Sequence, residues 1–150
     1  MATTEQIIAA LIESYWMELE TVQNYLANSN NLDGVRAEEI KKALTADVAE
    51  ELSHAQQLAN RIRVLGGIVP GSFSFKAAQS SLQPSADRRD VVSVIKGVID
   101  AENGAIAQYN KIIKLCEGTD YVTQDLCITL LGSEEAHRRE FIGFLAEYEK

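Results

Sequence analysis

The chain's two histidines each follow a glutamate by three positions, in Glu51-x-x-His54 and Glu134-x-x-His137. On a helix that spacing puts a carboxylate and an imidazole one turn apart on one face, where both can reach a single cation. Two more glutamates stand inside apolar repeats. Glu102 follows Ile95 by seven residues and Val98 by four, and precedes Ile106 by four and Tyr109 by seven. Glu18 stands in the same relation to Leu11, Val22 and Tyr25, whereas Glu20 has Glu13, Trp16, Gln23 and Asn24 as helical neighbours and reads as solvated. Glu135 and Glu140, beside Arg138 and Arg139, read as a solvated charged face.

One glutamate near an apolar stripe usually snorkels or is salt-bridged, and one helical histidine is usually an ordinary polar residue. Four carboxylates turned into one core are a different matter, because buried charges persist only when paired or bound to metal. None of the four stripes carries a Lys or Arg that could pair with them. Two divalent cations would neutralise four carboxylates, and two neutral imidazoles would complete the set. The predicted ligands are therefore Glu18, Glu51, His54, Glu102, Glu134 and His137. Oxygen-rich ligation with imidazole suits iron or manganese, and zinc by affinity.

Those residues need four helices to carry them. Apolar residues recur at helical spacing from about Thr4 to Leu26, Arg36 to Leu65, just after Ser85 or Asp87 to Cys116, and Tyr121 to Tyr148. The first stripe ends in Asn28-Ser29-Asn30-Asn31-Leu32-Asp33-Gly34, which is loop chemistry, and the second at Gly66-Gly67 with Pro70 beyond. Ser85 or Asp87 is the predicted cap of the third helix, and Glu117 to Asp120 a tight turn before the fourth. Residues from about 71 to 86 lack a sustained period and read as an extended connection with one short helix. Two short links and one long one describe an all-α four-helix bundle with a long crossover between helices two and three.

Length and composition agree with that expectation. A chain of 150 residues fits one domain, 1–150, and 46% hydrophobic residues with two prolines favour helices. The net charge of −8 and the lack of a basic tail argue against nucleic-acid binding. No stretch approaches an uncharged membrane span and no basic-then-apolar leader opens the chain, so a cytoplasmic protein is expected. Cys116 and Cys127 are too few for a disulfide framework and read as buried thiols.

At its candidate ligands the chain resembles the ferritin superfamily, and bacterioferritins in particular. The run from Glu18-Leu19 to Gln23-Asn24-Tyr25 is similar to the first-helix ferroxidase motif, and Glu51-Leu52-Ser53-His54, Glu102 and Glu134-Glu135-Ala136-His137 are similar to the remaining ligand positions. The resemblance implies that Glu51 and Glu134 bridge two irons, that Glu18 and Glu102 are terminal, that each histidine binds one iron, and that Tyr25 lies just outside the ligands. It implies oxidation of Fe(II) by dioxygen or hydrogen peroxide, with iron storage and detoxification. Leu52 stands where bacterioferritins have the Met that binds haem, so no haem is expected. The chain stops thirteen residues after His137, short of a fifth helix, which implies a Dps-like homo-oligomeric shell, a dodecamer rather than a 24-mer. The alternative is a non-storing di-iron or di-manganese peroxidase or catalase of the rubrerythrin kind.

Overall fold

A computed structural model of the chain describes residues 1–149. Its four helices are α1 (Thr4–Asn31), α2 (Glu38–Val64), α3 (Val91–Leu115) and α4 (Tyr121–Ala146), with single 3-10 turns at Val35–Ala37 and Ser72–Ser74 and no strand among the described residues. Local chemistry sets each end. Thr3 and Gln6 cap α1 reciprocally, each side chain bonding the other's backbone N–H. α2 closes in a Schellman motif, Gly67 N–H to Ile62 and Gly66 N–H to Arg63, which needs the positive φ of 87° that Gly66 adopts.

Three predicted ends move. α1 continues five residues past Leu26, because the Asn and Ser side chains of its last turns bond back to the helix instead of breaking it. Asn30 Nδ2 and Ser29 Oγ both donate to the Leu26 carbonyl, and Asn28 Nδ2 reaches Leu82 in the crossover. The cap of α3 is Asp90, which accepts from Ser93 N–H, while Asp87 and Ser85 shape the preceding turn. α4 stops at Ala146, two residues before Tyr148.

α1 packs chiefly on α2, and α3 on α4. Tyr25 meets Glu102 while Glu18 meets Tyr109, so α1 and α3 run antiparallel. The short link makes α1 and α2 antiparallel as well, hence α2 and α3 are parallel and the crossover must travel the length of the bundle. No helix among the described residues is long and apolar enough to cross a membrane.

The crossover is pinned by a residue the sequence reading places in solvent. Glu20 is buried, and its two carboxylate oxygens accept the backbone N–H groups of Ala78 and Gln79 at 2.8 and 2.9 Å. Gln79 then bonds Thr21 and Asn24. On α3, Gly97 lets the strap lie flat: a Cβ there would fall 2.5 Å from the Ser81 carbonyl oxygen and 3.2 Å from Leu82 Cα. Both obstacles are backbone, so Gly97→Ala is expected to lower stability by about 1–3 kcal/mol in urea unfolding, with faster amide exchange at Ala78 and Gln79. An unchanged midpoint would remove this role from Gly97.

The apolar interior comes in two blocks. One holds Tyr25, Ile40, Leu44, Leu82, Ile95, Val98 and Phe141, the other Leu11, Leu58, Ile62, Tyr109, Ile112, Cys116, Cys127 and Leu130. Both cysteines are free and fully buried, and burial pushes their thiols up to about 11 and about 12. Between the blocks lies a polar seam.

Candidate metal centre

Six side chains fill the seam, one helix position at a time: Glu18 from α1, Glu51 and His54 from α2, Glu102 from α3, Glu134 and His137 from α4. Every one is at most 6% exposed. The structure thus brings together all six predicted ligands. They are buried because each occupies an inward register of its helix, on the face that carries Leu11 and Tyr25 on α1, Leu44 and Leu58 on α2, Val98 and Tyr109 on α3, and Leu130 and Phe141 on α4.

The six fall into two overlapping groups. Glu18, Glu51, His54 and Glu134 offer ligand atoms within 4.8 Å of one another, and so do Glu51, Glu102, Glu134 and His137. Glu51 and Glu134 belong to both. His54 Nδ1 stands 2.8 Å from Glu134, 3.4 Å from Glu18 and 3.7 Å from Glu51. His137 Nδ1 stands 2.9 Å from Glu51, 3.7 Å from Glu134 and 3.8 Å from Glu102. The two rings lie 6.3 Å apart and within 19° of parallel.

Hydrogen bonding within the protein does not satisfy this cluster. Glu18 Oε2, Glu51 Oε1, Glu102 Oε2, Glu134 Oε2 and His137 Nδ1 are buried with no hydrogen-bond partner. Orphaned buried oxygens are costly, and so many aimed into one seam fit a pair of cations better than any arrangement of the side chains alone. Oxygen and imidazole donors without a thiol fit iron, manganese or zinc. The seam can therefore hold two metal ions sharing two carboxylates.

Without cations the protein balances the charge with protons. Burial, reinforced by Glu51 and Glu134, holds the Glu18 carboxyl well above its usual range. Burial does the same to Glu102, with help from Glu134 and Glu51. For Glu51 burial acts upward, but the neighbouring Glu18 carboxyl and both imidazoles outweigh it and hold the group low. Glu134 is likewise held low, by Glu102 and both imidazoles against burial. Burial would discharge His54, yet its carboxylate partners, Glu134 foremost, raise it to about 12; His137 is raised in the same way.

Two phenols support the outer carboxylates. Tyr25 Oη donates to Glu102 at 2.6 Å, and Tyr109 Oη donates to Glu18 at 2.8 Å. Burial, then the neighbouring carboxylates, keep both phenols protonated far above their ordinary range, so they remain donors. Sequence reading finds Tyr25 and misses Tyr109. The signal exists, since Tyr109 follows Glu102 by the same seven residues that separate Tyr25 from Glu18. Sequence reading also misses Asp47 and Glu50, which approach the far side of the His137 ring. Leu52, in the haem-ligand position of the resemblance, is about half exposed on the outer side of α2.

Known proteins are similar to this chain in sequence and in architecture. The ferritin-like domain family matches residues 8–150. The chain is 27% identical to the DNA protection during starvation protein of Pyrococcus furiosus, over 91% of this chain and 75% of that one. It is 26% identical to the bacterioferritin of Desulfovibrio desulfuricans, over 88% and 70%. Among solved structures, the fold is similar to a dodecameric thioferritin, the bacterioferritin-related protein of Bacteroides fragilis, with a TM-score of 0.87, 22% identity and coverage of 98% and 88%. It is also similar to the D. desulfuricans bacterioferritin, described with a diiron site, at a TM-score of 0.81, 24% identity and coverage of 95% and 80%.

Proposed function

The chain belongs to the family of ferritin-like domains, and from that premise we propose that it is a ferroxidase: it oxidises Fe(II) at a dinuclear centre within one subunit and passes the product to storage. The observation that carries the reading is the pair of ligand groups hinged on Glu51 and Glu134. Glu18 and His54 would complete one position, Glu102 and His137 the other. Iron bound there supplies two electrons to dioxygen or hydrogen peroxide, one from each ion.

The protein's own part is electrostatic and positional. Four carboxylates offset the charge of two Fe(II) and favour the higher charge of two Fe(III), so the seam binds the oxidised pair more strongly than the reduced one. The donors fixed by Tyr25 and Tyr109 keep Glu102 and Glu18 in place with one oxygen each while leaving the other oxygen free. The apolar blocks on either side restrict water, which keeps those interactions strong.

A homo-oligomeric shell of twelve copies is part of the same proposal, supported by the dodecameric relative in fold. DNA coating is not, because a chain of net charge −8 repels a phosphate backbone. Anaerobic addition of Fe(II) to metal-free protein, followed by oxygen or peroxide, should oxidise two irons per chain rapidly, seen as a rise in near-ultraviolet absorbance that saturates at that ratio. Oxidation no faster than in buffer, or saturation at one iron, would contradict the proposal. Native mass is the cheap companion measurement: a shell fits storage, a monomer or dimer fits the rubrerythrin-like alternative.

A further inference from the structure

Ser14 stands on the inward stripe of α1, between Leu11 and Glu18, where a hydrocarbon side chain is expected, and it is 2% exposed. Its Oγ has no hydrogen-bond partner. A serine hydroxyl inside a helix usually donates to the carbonyl four residues back. Here that carbonyl, of Ala10, receives Gln108 Nε2 at 3.1 Å instead. The same bond sets α3 against α1 and brings the next residue, Tyr109, level with the turn that ends at Ser14, from where its phenol reaches Glu18 Oε1 at 2.8 Å. A long helical side chain leans toward the N-terminus, so Glu18 lies back over Ser14, four residues before it. Ser14 Oγ, Tyr109 Oη and the Glu18 carboxylate therefore converge at one end of the seam. The other half of the centre differs: Glu102 has Val98 four residues before it, fully buried in the apolar block that holds Tyr25.

An internal water needs two to four polar neighbours and room to sit. Ser14 Oγ can donate to one, Tyr109 Oη has lone pairs to accept from it after giving its own proton to Glu18, and the small side chains of Ala10 and Ala105 in the surrounding block leave space that a Leu would fill. We propose that Ser14 is a positioning residue: its hydroxyl holds one buried water against Tyr109 Oη, and through that phenol it fixes Glu18 for the metal position shared with His54. The inference rests on the dinuclear reading for that position. A hydrogen bond given to Tyr109 Oη polarises the phenol and strengthens its own donation to Glu18. Glu102 has no such chain behind it, so the two metal positions are inequivalent and Ser14 acts on one of them alone.

The contrasting case is a hydroxyl tolerated without a partner, whose removal would be neutral or stabilising. A cycle of S14A, Y109F and S14A/Y109F separates the two, because alanine favours a helix, phenylalanine keeps the ring, and the coupling cancels the effect of helix propensity. In metal-free protein, S14A should shift the urea midpoint downward more in the wild type than in the Y109F background. Calorimetric titration with Co(II) should show two steps in the wild type. S14A should weaken one of them by about three- to tenfold, less than the 10–100-fold that a direct partner of a ligand is worth. Y109F should weaken the same step further, and S14A should add nothing to Y109F. That step is the one E18A abolishes, and the other should not move.

Equal midpoint shifts from S14A in both backgrounds would overturn the hydrogen-bond chain, whatever the metal does. Coupling in urea with both Co(II) steps unchanged by S14A, or weakened alike, would overturn the positioning role. Coupling in urea together with one Co(II) step or none would uphold the chain from Ser14 to Glu18 and defeat the dinuclear reading. Crystals of metal-free protein supply the direct view: a water within hydrogen-bond reach of both Ser14 Oγ and Tyr109 Oη is expected, and a dry contact there would overturn the proposal.

Discussion

Glu51→Ala is expected to lower the rate of Fe(II) oxidation by more than about a hundredfold and to leave neither metal position intact. Losing even an outer partner of a metal ligand costs about 10–100-fold in affinity or activity, and Glu51 stands in both ligand groups at once. The same substitution at Glu18 or Glu102, each in one group, should spare one position. The contrast is therefore two ions lost against one, read by counting Zn(II) or Co(II) bound per chain. Glu135→Ala, at an exposed position beside Glu134, is the control and should titrate as wild type. Equal losses from Glu51→Ala and Glu135→Ala would mean that a general acidic surface, not the seam, collects the metal.

The second large effect is on stability. Metal-free protein keeps Glu18 and Glu102 protonated well above their usual range through burial, and holds a proton on His54 up to about 12 through its carboxylate partners. In the unfolded chain the carboxyls titrate near 4.5 and the histidine near 6.5. Above that pH the folded form binds more protons than the unfolded form, and stability must fall as pH rises. Glu51 and Glu134, held low, act in the opposite limb: their contribution is complete above 4.5 and is lost in acid. Metal-free protein should therefore be most stable near pH 4.5 and weaken from there to pH 9, more steeply above about 6.5, where the histidines join the carboxyls.

Two bound ions remove that alkaline weakening, because ligands must give up their protons to bind metal. At about a hundred times the dissociation constant each ion adds about 2.7 kcal/mol. Two together should raise Tm by about 10–20 °C for a chain of this size. Zn(II) titration in weak buffer should also release protons, and more at pH 6 than at pH 9. A Tm unmoved by Zn(II), or a metal-free Tm that climbs from pH 6.5 to 9, would contradict this picture.

How far the sequence foretells these features depends on the kind of interaction. The four helices and the six seam residues are legible because burying a carboxylate in an apolar stripe breaks a strong periodic pattern, and the break is local to one helix. Tyr109 escapes the sequence reading even though the repeat of a seven-residue spacing carries its signal. Glu20 carries none, because its partners are backbone N–H groups fifty-eight and fifty-nine residues away in an aperiodic strap, and nothing in its helical neighbours points to them. Asp47 and Glu50 share that difficulty: on α2 they look like part of a solvated acidic run, and only the approach of α4 gives them His137. The end of α1 failed for a different reason. Asn and Ser favour loops by competing for backbone bonds, yet here that competition is turned inward, to carbonyls of the helix itself and of the crossover.

Everything proposed for this protein depends on two cations between Glu18, Glu51, His54, Glu102, Glu134 and His137. Crystals grown metal-free and soaked anaerobically in Fe(II), measured at the iron absorption edge, test it most directly. Two anomalous peaks are expected about 3.5–4 Å apart, with Glu51 and Glu134 contacting both. Iron found only at surface carboxylates, or a single ion in the seam with Glu51 or Glu134 turned away, would contradict it.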